Sequence, residues 1–99
     1  MNINITALHF KVDQKLEKFI SEKVEKLSQV YDSIIGADVT LKLENTDKPE
    51  SKTVEIRIKI RGNDALAGKT AKTFEEACDE TVAALRRQLK KVKEKERGL

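Results

Sequence analysis

A long amphipathic helix pattern fills the last quarter of the chain, from Thr73 to Gly98, and it limits the choice of fold more than any other segment. Thr73, followed by Glu76 three residues later, forms a capping-box pattern that favours a helix start. The stripe that we expect to be buried then recurs at three- and four-residue spacing: Phe74, Ala77, Cys78, Thr81, Val82, Leu85, Leu89 and Val92. A helix of roughly 23 residues is about 35 Å long, so it needs an extended apolar surface to cover it, and we expect its end to overhang that surface.

Alternating segments elsewhere in the chain supply such a surface. Residues 2–7, 38–44 and 54–61 each alternate apolar and polar side chains, which predicts three strands of a sheet with one buried and one wet face. A weaker fourth strand is expected over residues 65–71, where Leu66 and Ala67 compete for the inward position. Small side chains in this strand would let a helix pack closely.

The remaining segments connect these strands. Asp13 is a good N-cap for a first amphipathic helix of about four turns that ends before Gly36, with an apolar face of Leu16, Phe19, Ile20, Val24, Leu27 and Tyr31. Pro49 lies in a polar loop between the second and third strands, and residues 61–64 predict a tight hairpin turn.

The predicted order is therefore β-α-β-β-β-α, within one domain that spans residues 1–99. One parallel strand pair joined by the first helix requires a right-handed crossover, which places both helices on the same face. We predict an α+β fold with two layers, a mixed four-stranded sheet and both helices on one face of it.

Composition and motifs argue against several classes of protein. The N-terminus has no pattern of a secretory signal, and no apolar run approaches the length of a membrane span, so we expect a cytoplasmic protein without a membrane partner. His9 has no second metal ligand spaced near it, the four glycines are scattered, and Cys78 lies on the apolar stripe. We expect no enzyme activity, no metal, no cofactor and no small-molecule substrate.

Positive charge is concentrated at the end of the last helix. Seven basic residues after position 85 face only two acidic ones, whereas residues 1–85 carry 13 basic and 15 acidic residues and so sum to −2. Arg86, Lys90, Lys93 and Arg97 fall on one edge of the apolar stripe, and Arg87, Lys91 and Lys95 fall on the other. Either this end is a solvated helix terminus whose cations offset the negative end of the helix dipole, or it binds a partner rich in phosphate.

A second basic set comprises Lys42, Arg57, Lys59 and Arg61. We expect these residues on the wet sheet face as ordinary solvated charge.

A sequence pattern extends over essentially the whole chain. It comprises Asn4-Ile5-Thr6, Leu16, Phe19, Lys23, Lys26, Leu27, Leu41-Lys42, Asp79, Leu85, Arg87-Gln88-Leu89, Lys91, Lys93 and Lys95. The spacing from Asp79 to the Arg-Gln-Leu-x-Lys segment is its most specific part. In this pattern the chain resembles the short-form ribosome hibernation-promoting factors, the family that includes the ribosome-associated inhibitor called protein Y.

The resemblance implies a fold similar to double-stranded RNA-binding domains and partners in the small ribosomal subunit, its 16S-type rRNA and the 70S ribosome. Such a protein occupies the mRNA path and the tRNA sites of the small subunit in stationary phase or stress. The matching cationic positions are Lys23, Lys26, Lys42, Arg87, Lys91, Lys93 and Lys95, and Arg86 and Lys90 are added on charge alone. The family often has Tyr where this chain has Glu75. A chain lacking the long-form C-terminal domain would need another factor, or a direct effect on subunit shape, to form ribosome dimers.

Two other interpretations use the same features. A general double-stranded RNA-binding protein would have the same fold and charge. A protein-docking or homodimer surface on the last helix is disfavoured by its scarcity of apolar residues past Leu89, so we expect a monomer when the protein is free.

Overall fold

In a computed structural model, the chain folds as a four-stranded sheet with helices packed on it, and the structure describes residues 1–44 and 47–96. The elements in chain order are β1 (Asn2–Ala7), α1 (Gln14–Glu25), a 3₁₀ helix (Lys26–Gln29), β2 (Gly36–Leu43), β3 (Lys52–Lys59), β4 (Ala65–Ala71) and α2 (Phe74–Glu96). This order confirms the predicted β-α-β-β-β-α arrangement.

The strands are arranged in the order β1-β2-β3-β4, with β1 parallel to β2 and the other neighbours antiparallel. Ile5, Val39, Ile56 and Ala67 lie side by side across the four strands, so one face collects the apolar residues of every strand. Residues of both helices share one core with this face, which confirms the predicted α+β fold with two layers. The opposite face of the sheet, here called the open face, carries no helix in the described part of the chain.

The register of β4 is decided by the packing of α2. Ala65, Ala67 and Ala71 face the helix layer, whereas Leu66 points to the open face and is 55% exposed. Small side chains let the backbone of α2 approach the sheet, and a leucine at those positions would separate the two layers. To bury Leu66, β4 would have to shift by one residue in its register with β3, and that shift would turn Ala65, Ala67 and Ala71 to the open face.

The first helix is shorter than its apolar spacing predicts. It ends at Glu25, and a 3₁₀ turn follows in which the Ser28 hydroxyl donates to the carbonyl oxygen of Glu25 at 2.7 Å. Such a side-chain bond competes with the helical backbone bond, and 3₁₀ geometry tightens the chain at this end. Tyr31 therefore lies beyond the helix, although it is still buried.

Both predicted helix caps are present. The Asp13 carboxylate accepts a hydrogen bond from the Leu16 amide at 2.8 Å, and the Thr73 hydroxyl accepts one from the Glu76 amide at 3.0 Å.

The β3–β4 connection is longer than the predicted tight turn, since β3 ends at Lys59 and Ile60 is buried outside the ladder. Gly62 has a positive φ of 94° in this loop, a conformation that glycine adopts without steric cost.

Within residues 1–44 and 47–96, no helix combines the length and apolar character that crossing a bilayer requires.

Candidate nucleic-acid interface

Six basic side chains project from the last three turns of α2: Arg86, Arg87, Lys90, Lys91, Lys93 and Lys95, here called the helix-end cluster. All are exposed except Lys93, which is half-buried. Leu85 and Leu89 are fully buried beneath these turns and hold the helix against the sheet. The cluster is therefore carried on a packed helix rather than on a free tail. Arg97, which extends the same charge pattern, lies outside the described residues.

The cluster covers both flanks of α2, as the predicted spacing requires. Lys90, Lys93 and the acidic Glu94 line a shallow groove of about 340 Å³ together with Gln29 and Val30 at the end of the 3₁₀ segment. On the other flank, Gln88 reaches β4, and helical spacing places Lys91 and Lys95 along that side. A partner that binds this end meets cations from one flank across to the other.

Among the described residues, the cations of the cluster have no acidic partner. In the described part of the chain, no carboxylate oxygen lies within 4.0 Å of any of the six basic groups. One nearby acid, Glu96, instead accepts a hydrogen bond from the Tyr31 hydroxyl at 2.7 Å. The uncompensated charge sits at the negative end of the helix dipole, which stabilises it, and it is available to an anionic partner.

The two predicted cations of the first helical segment differ in their surroundings. Lys23 of α1 is half-buried and forms an ion pair with Asp79 of α2 at 3.2 Å, with its ammonium group 5.4 Å from the centre of the Phe19 ring. Lys26 begins the 3₁₀ segment and is exposed. Lys26 is therefore free to meet a partner, whereas Lys23 first helps to join the two helices. Lys23 and Asp79 both belong to the family pattern, and only the structure shows that they pair.

Lys42 is not brought to the helix-end cluster. It lies on the open face, where its ammonium group is 3.0 Å from the Glu55 carboxylate. The other cations of this face are also matched: Lys59 lies 3.1 Å from Asp38, and Arg57 lies 4.0 Å from Asp64. The predicted separation between the two basic sets is present for Lys42, Arg57 and Lys59. It is wrong for Arg61, which lies beyond β3 and lines a pocket with Tyr31 and Glu96 at the end of α2. Lys42 stays a predicted RNA contact, but a flat ligand on the helix side cannot reach it.

The network of the open face also includes uncharged partners. The Asn4 amide donates to the Asp38 carboxylate at 3.2 Å, and this bond, followed by the contact with Lys59, lowers the pKa of Asp38 below its usual value. Thr53 shares a hydrogen bond with Thr70 at 2.6 Å and donates to Glu44 at 3.2 Å. The polar groups of this face are therefore largely satisfied by one another.

Gln88, the second residue of the Arg-Gln-Leu-x-Lys segment, has a structural contact. Its side-chain amide donates to the carbonyl oxygen of Leu66 at 2.8 Å and so ties α2 to β4. Sequence reasoning treated the segment as a single basic motif and did not separate this residue from its neighbours. The contact joins residues 22 positions apart, so no local pattern in the sequence indicated it.

The start of α2 offers no exposed ring in place of the tyrosine frequent in the family. Phe74 is buried, and its ring stacks on Phe10 with centroids 5.3 Å apart. Glu75 beside it is exposed. At the position where the family resemblance predicts a tyrosine ring, this chain presents a carboxylate to solvent.

The residues considered for chemistry occupy structural positions. Burial raises the pKa of the Cys78 thiol to about 12, so this side chain acts as a small apolar group in the core. His9 adopts a positive φ of 69° in the connection after β1. Across the described ranges, no three His, Cys, Asp or Glu side chains are grouped so as to hold a metal ion.

Comparison with known proteins identifies relatives along almost the whole chain. The model of the family described as Sigma 54 modulation protein / S30EA ribosomal protein matches residues 3–97. The ribosome hibernation promoting factor of Pseudomonas putida KT2440 is 31% identical over 99 residues, which cover all of this chain and 93% of the relative. The factor of the same name from Escherichia coli K12 is 30% identical over 95 residues, which cover 96% of each chain.

Two solved structures share the fold. The N-terminal domain of Thermus thermophilus protein Y aligns with a TM-score of 0.80 over 93% of this chain and 99% of that domain, at 20% identity. A ribosomal subunit interface protein from Coxiella burnetii aligns with a TM-score of 0.82 over 94% of this chain and 98% of its own, also at 20% identity.

Proposed function

Since this chain belongs to the ribosome hibernation-promoting factor family, as its sequence predicted, we propose that it is a ribosome-binding translation inhibitor. It binds the small ribosomal subunit and the 70S ribosome in the cytoplasm, and it occupies the mRNA path and the tRNA sites in stationary phase or stress. It does so as a monomer, without catalysis, a cofactor or a small-molecule substrate.

The observation that carries this proposal is the unpaired charge of the helix-end cluster. Six cations on a packed helix, none of them matched by a carboxylate in the described residues, suit the phosphates of folded rRNA. Pairing with phosphates releases counterions and needs no base readout, which agrees with an aromatic content of only 4%. The remainder of the domain then excludes mRNA and tRNA by its volume.

The proposed rRNA-binding residues differ in how directly the structure supports them. The helix-end cluster and Lys26 offer exposed or half-buried charge on the helix side of the molecule. Lys23 contributes to rRNA binding from the position in which its ion pair with Asp79 holds it. Lys42 is proposed from the family resemblance, and its contact requires RNA that passes around the edge of the sheet.

The salt dependence of binding tests the proposal. Affinity for purified small subunits, measured by cosedimentation between about 50 and 200 mM salt, should fall with a log-log slope on the order of −4 to −5 if about six phosphates are neutralised. An affinity that does not change with salt would contradict the electrostatic mechanism.

Competition with an isolated RNA duplex separates this function from general double-stranded RNA binding. An excess of duplex should barely displace the protein from small subunits, because the proposed site is formed by the folded subunit. Displacement at equal concentrations of duplex and subunit would favour the general RNA-binding protein instead.

A further inference from the structure

The last turn of α2 has little apolar packing of its own. Among the described residues beyond Leu89, only Val92 belongs to the apolar stripe, and it is half-buried. Helix ends that lack buried contacts open easily, since their backbone hydrogen bonds are exposed to water. Lys91, Lys93 and Lys95 lie on this stretch, so their positions depend on what holds the helix end.

One polar contact joins this end to the rest of the molecule. The Tyr31 hydroxyl donates a hydrogen bond to the Glu96 carboxylate at 2.7 Å, across 65 positions of sequence. Tyr31 is only 5% exposed, and its backbone amide is bound to the carbonyl oxygen of Leu27 at 3.0 Å. The donor is thus held rigidly by the core, while the acceptor lies on the last described turn of the helix.

We propose that Tyr31 is a positioning residue for the helix-end cluster, whose hydrogen bond to Glu96 fixes the last turns of α2 so that the cations meet rRNA in one arrangement. This inference rests on the proposed function. Fixing the cations before binding reduces the fraction of molecules in an incompetent arrangement, and affinity rises accordingly.

Two further observations agree with this role. The hydrogen bond to Glu96, followed by burial, raises the pKa of Tyr31 above its ordinary value, at which a phenol is already a donor at neutral pH. Glu96 is also one of only two acids among the residues after position 85, and a negative charge there weakens attraction to phosphate. Its presence within the cluster is explained if it accepts the hydrogen bond from Tyr31, here called the tether.

Paired variants at Glu96 separate the tether from the charge. Glu96→Gln and Glu96→Ala remove the same negative charge, but only glutamine keeps an oxygen that can accept the Tyr31 hydrogen bond. Glu94→Gln and Glu94→Ala form the control pair, because no hydrogen bond or ion pair of Glu94 occurs within the described residues. Both positions are exposed, so all four variants should fold.

The first measurement is amide hydrogen exchange over residues 92–96 of the free protein. Glu96→Gln should exchange like the unchanged protein, whereas Glu96→Ala and Tyr31→Phe should exchange at least about threefold faster. The two Glu94 variants should behave alike. Equal exchange in Glu96→Ala and Glu96→Gln would overturn the tether.

The second measurement is affinity for small ribosomal subunits at low salt. Glu96→Ala should bind about threefold more weakly than Glu96→Gln, despite its equal charge and the better helix propensity of alanine. Equal affinities, in a protein that binds subunits, would overturn the positioning role alone. Absence of binding by the unchanged protein would instead refute the proposed function, while the exchange data would still report on the tether.

Discussion

The open face of the sheet and the end of α2 both carry basic residues, but the cations of the two regions differ in whether they have carboxylate partners. On the open face, Lys42, Arg57 and Lys59 each lie within 4.0 Å of a carboxylate. In the described part of α2, the six cations of the helix-end cluster have no such partner. Within residues 1–44 and 47–96, the open face holds three basic residues and the helix end six, and the distances show that only the helix end offers unpaired charge to a partner.

The geometry of each element explains the difference. Neighbouring strands place side chains of one face directly opposite each other, so an acid on one strand readily meets a base on the next. A helix lying on a sheet turns its outer side chains away from the rest of the protein, and only residues three or four positions apart can pair there. Arg86 and Arg87 have no acid at that spacing, and Glu94, which has that spacing from Lys90 and Lys91, forms no ion pair among the described residues.

The largest effect should come from the buried residues that support the cluster. Leu89→Ala removes a fully buried side chain beneath the basic turns and should reduce the free energy of unfolding by about 3 kcal/mol. Leu66→Ala, on the open face, should cost about 1 kcal/mol or less because the side chain is 55% exposed. Denaturant unfolding measures both values, and similar costs would show that the open face is packed more tightly than its exposure indicates.

Charge removal at the two regions should affect ribosome binding unequally. Arg87→Gln with Lys91→Gln should weaken small-subunit binding on the order of tenfold at low salt and flatten the salt slope by about two. Arg57→Gln with Lys59→Gln changes the net charge equally and should have little effect, since both cations are already paired. If the sheet variant weakens binding as much as the helix variant, overall charge rather than the cluster drives association.

The smallest expected effect concerns the titration of Asp38. Because the pKa of this carboxyl is lowered in the fold, its contacts stabilise the protein above the ordinary aspartate pKa and are lost as pH falls through the folded-state value. Asn4→Ala should raise the pKa of Asp38, as followed by NMR of the carboxyl carbon. Asn2→Ala, on the same face but opposite Gly36, should leave it unchanged. An unchanged pKa in Asn4→Ala would show that Lys59 alone sets it.

Much of the fold could be predicted from local pattern, since alternation and helical spacing report directly on which side chains face the core. Asp13 and Thr73 marked the helix starts because capping depends on residues three positions away or fewer. The end of α1 was placed too late, because the apolar spacing continues to Tyr31 although a 3₁₀ turn intervenes. Periodicity shows that Tyr31 is buried, but not which element buries it.

The sequence by itself determined the order of elements, the apolar face of each one and the concentration of positive charge after position 85. All of these follow from neighbours along the chain. Tertiary structure alone decided that Ala67 and not Leu66 faces α2, that Lys23 pairs with Asp79 and that Tyr31 holds Glu96. These contacts join residues distant in sequence, and they depend on how closely the layers pack and in which register the strands pair. Local periodicity carries no information about either quantity.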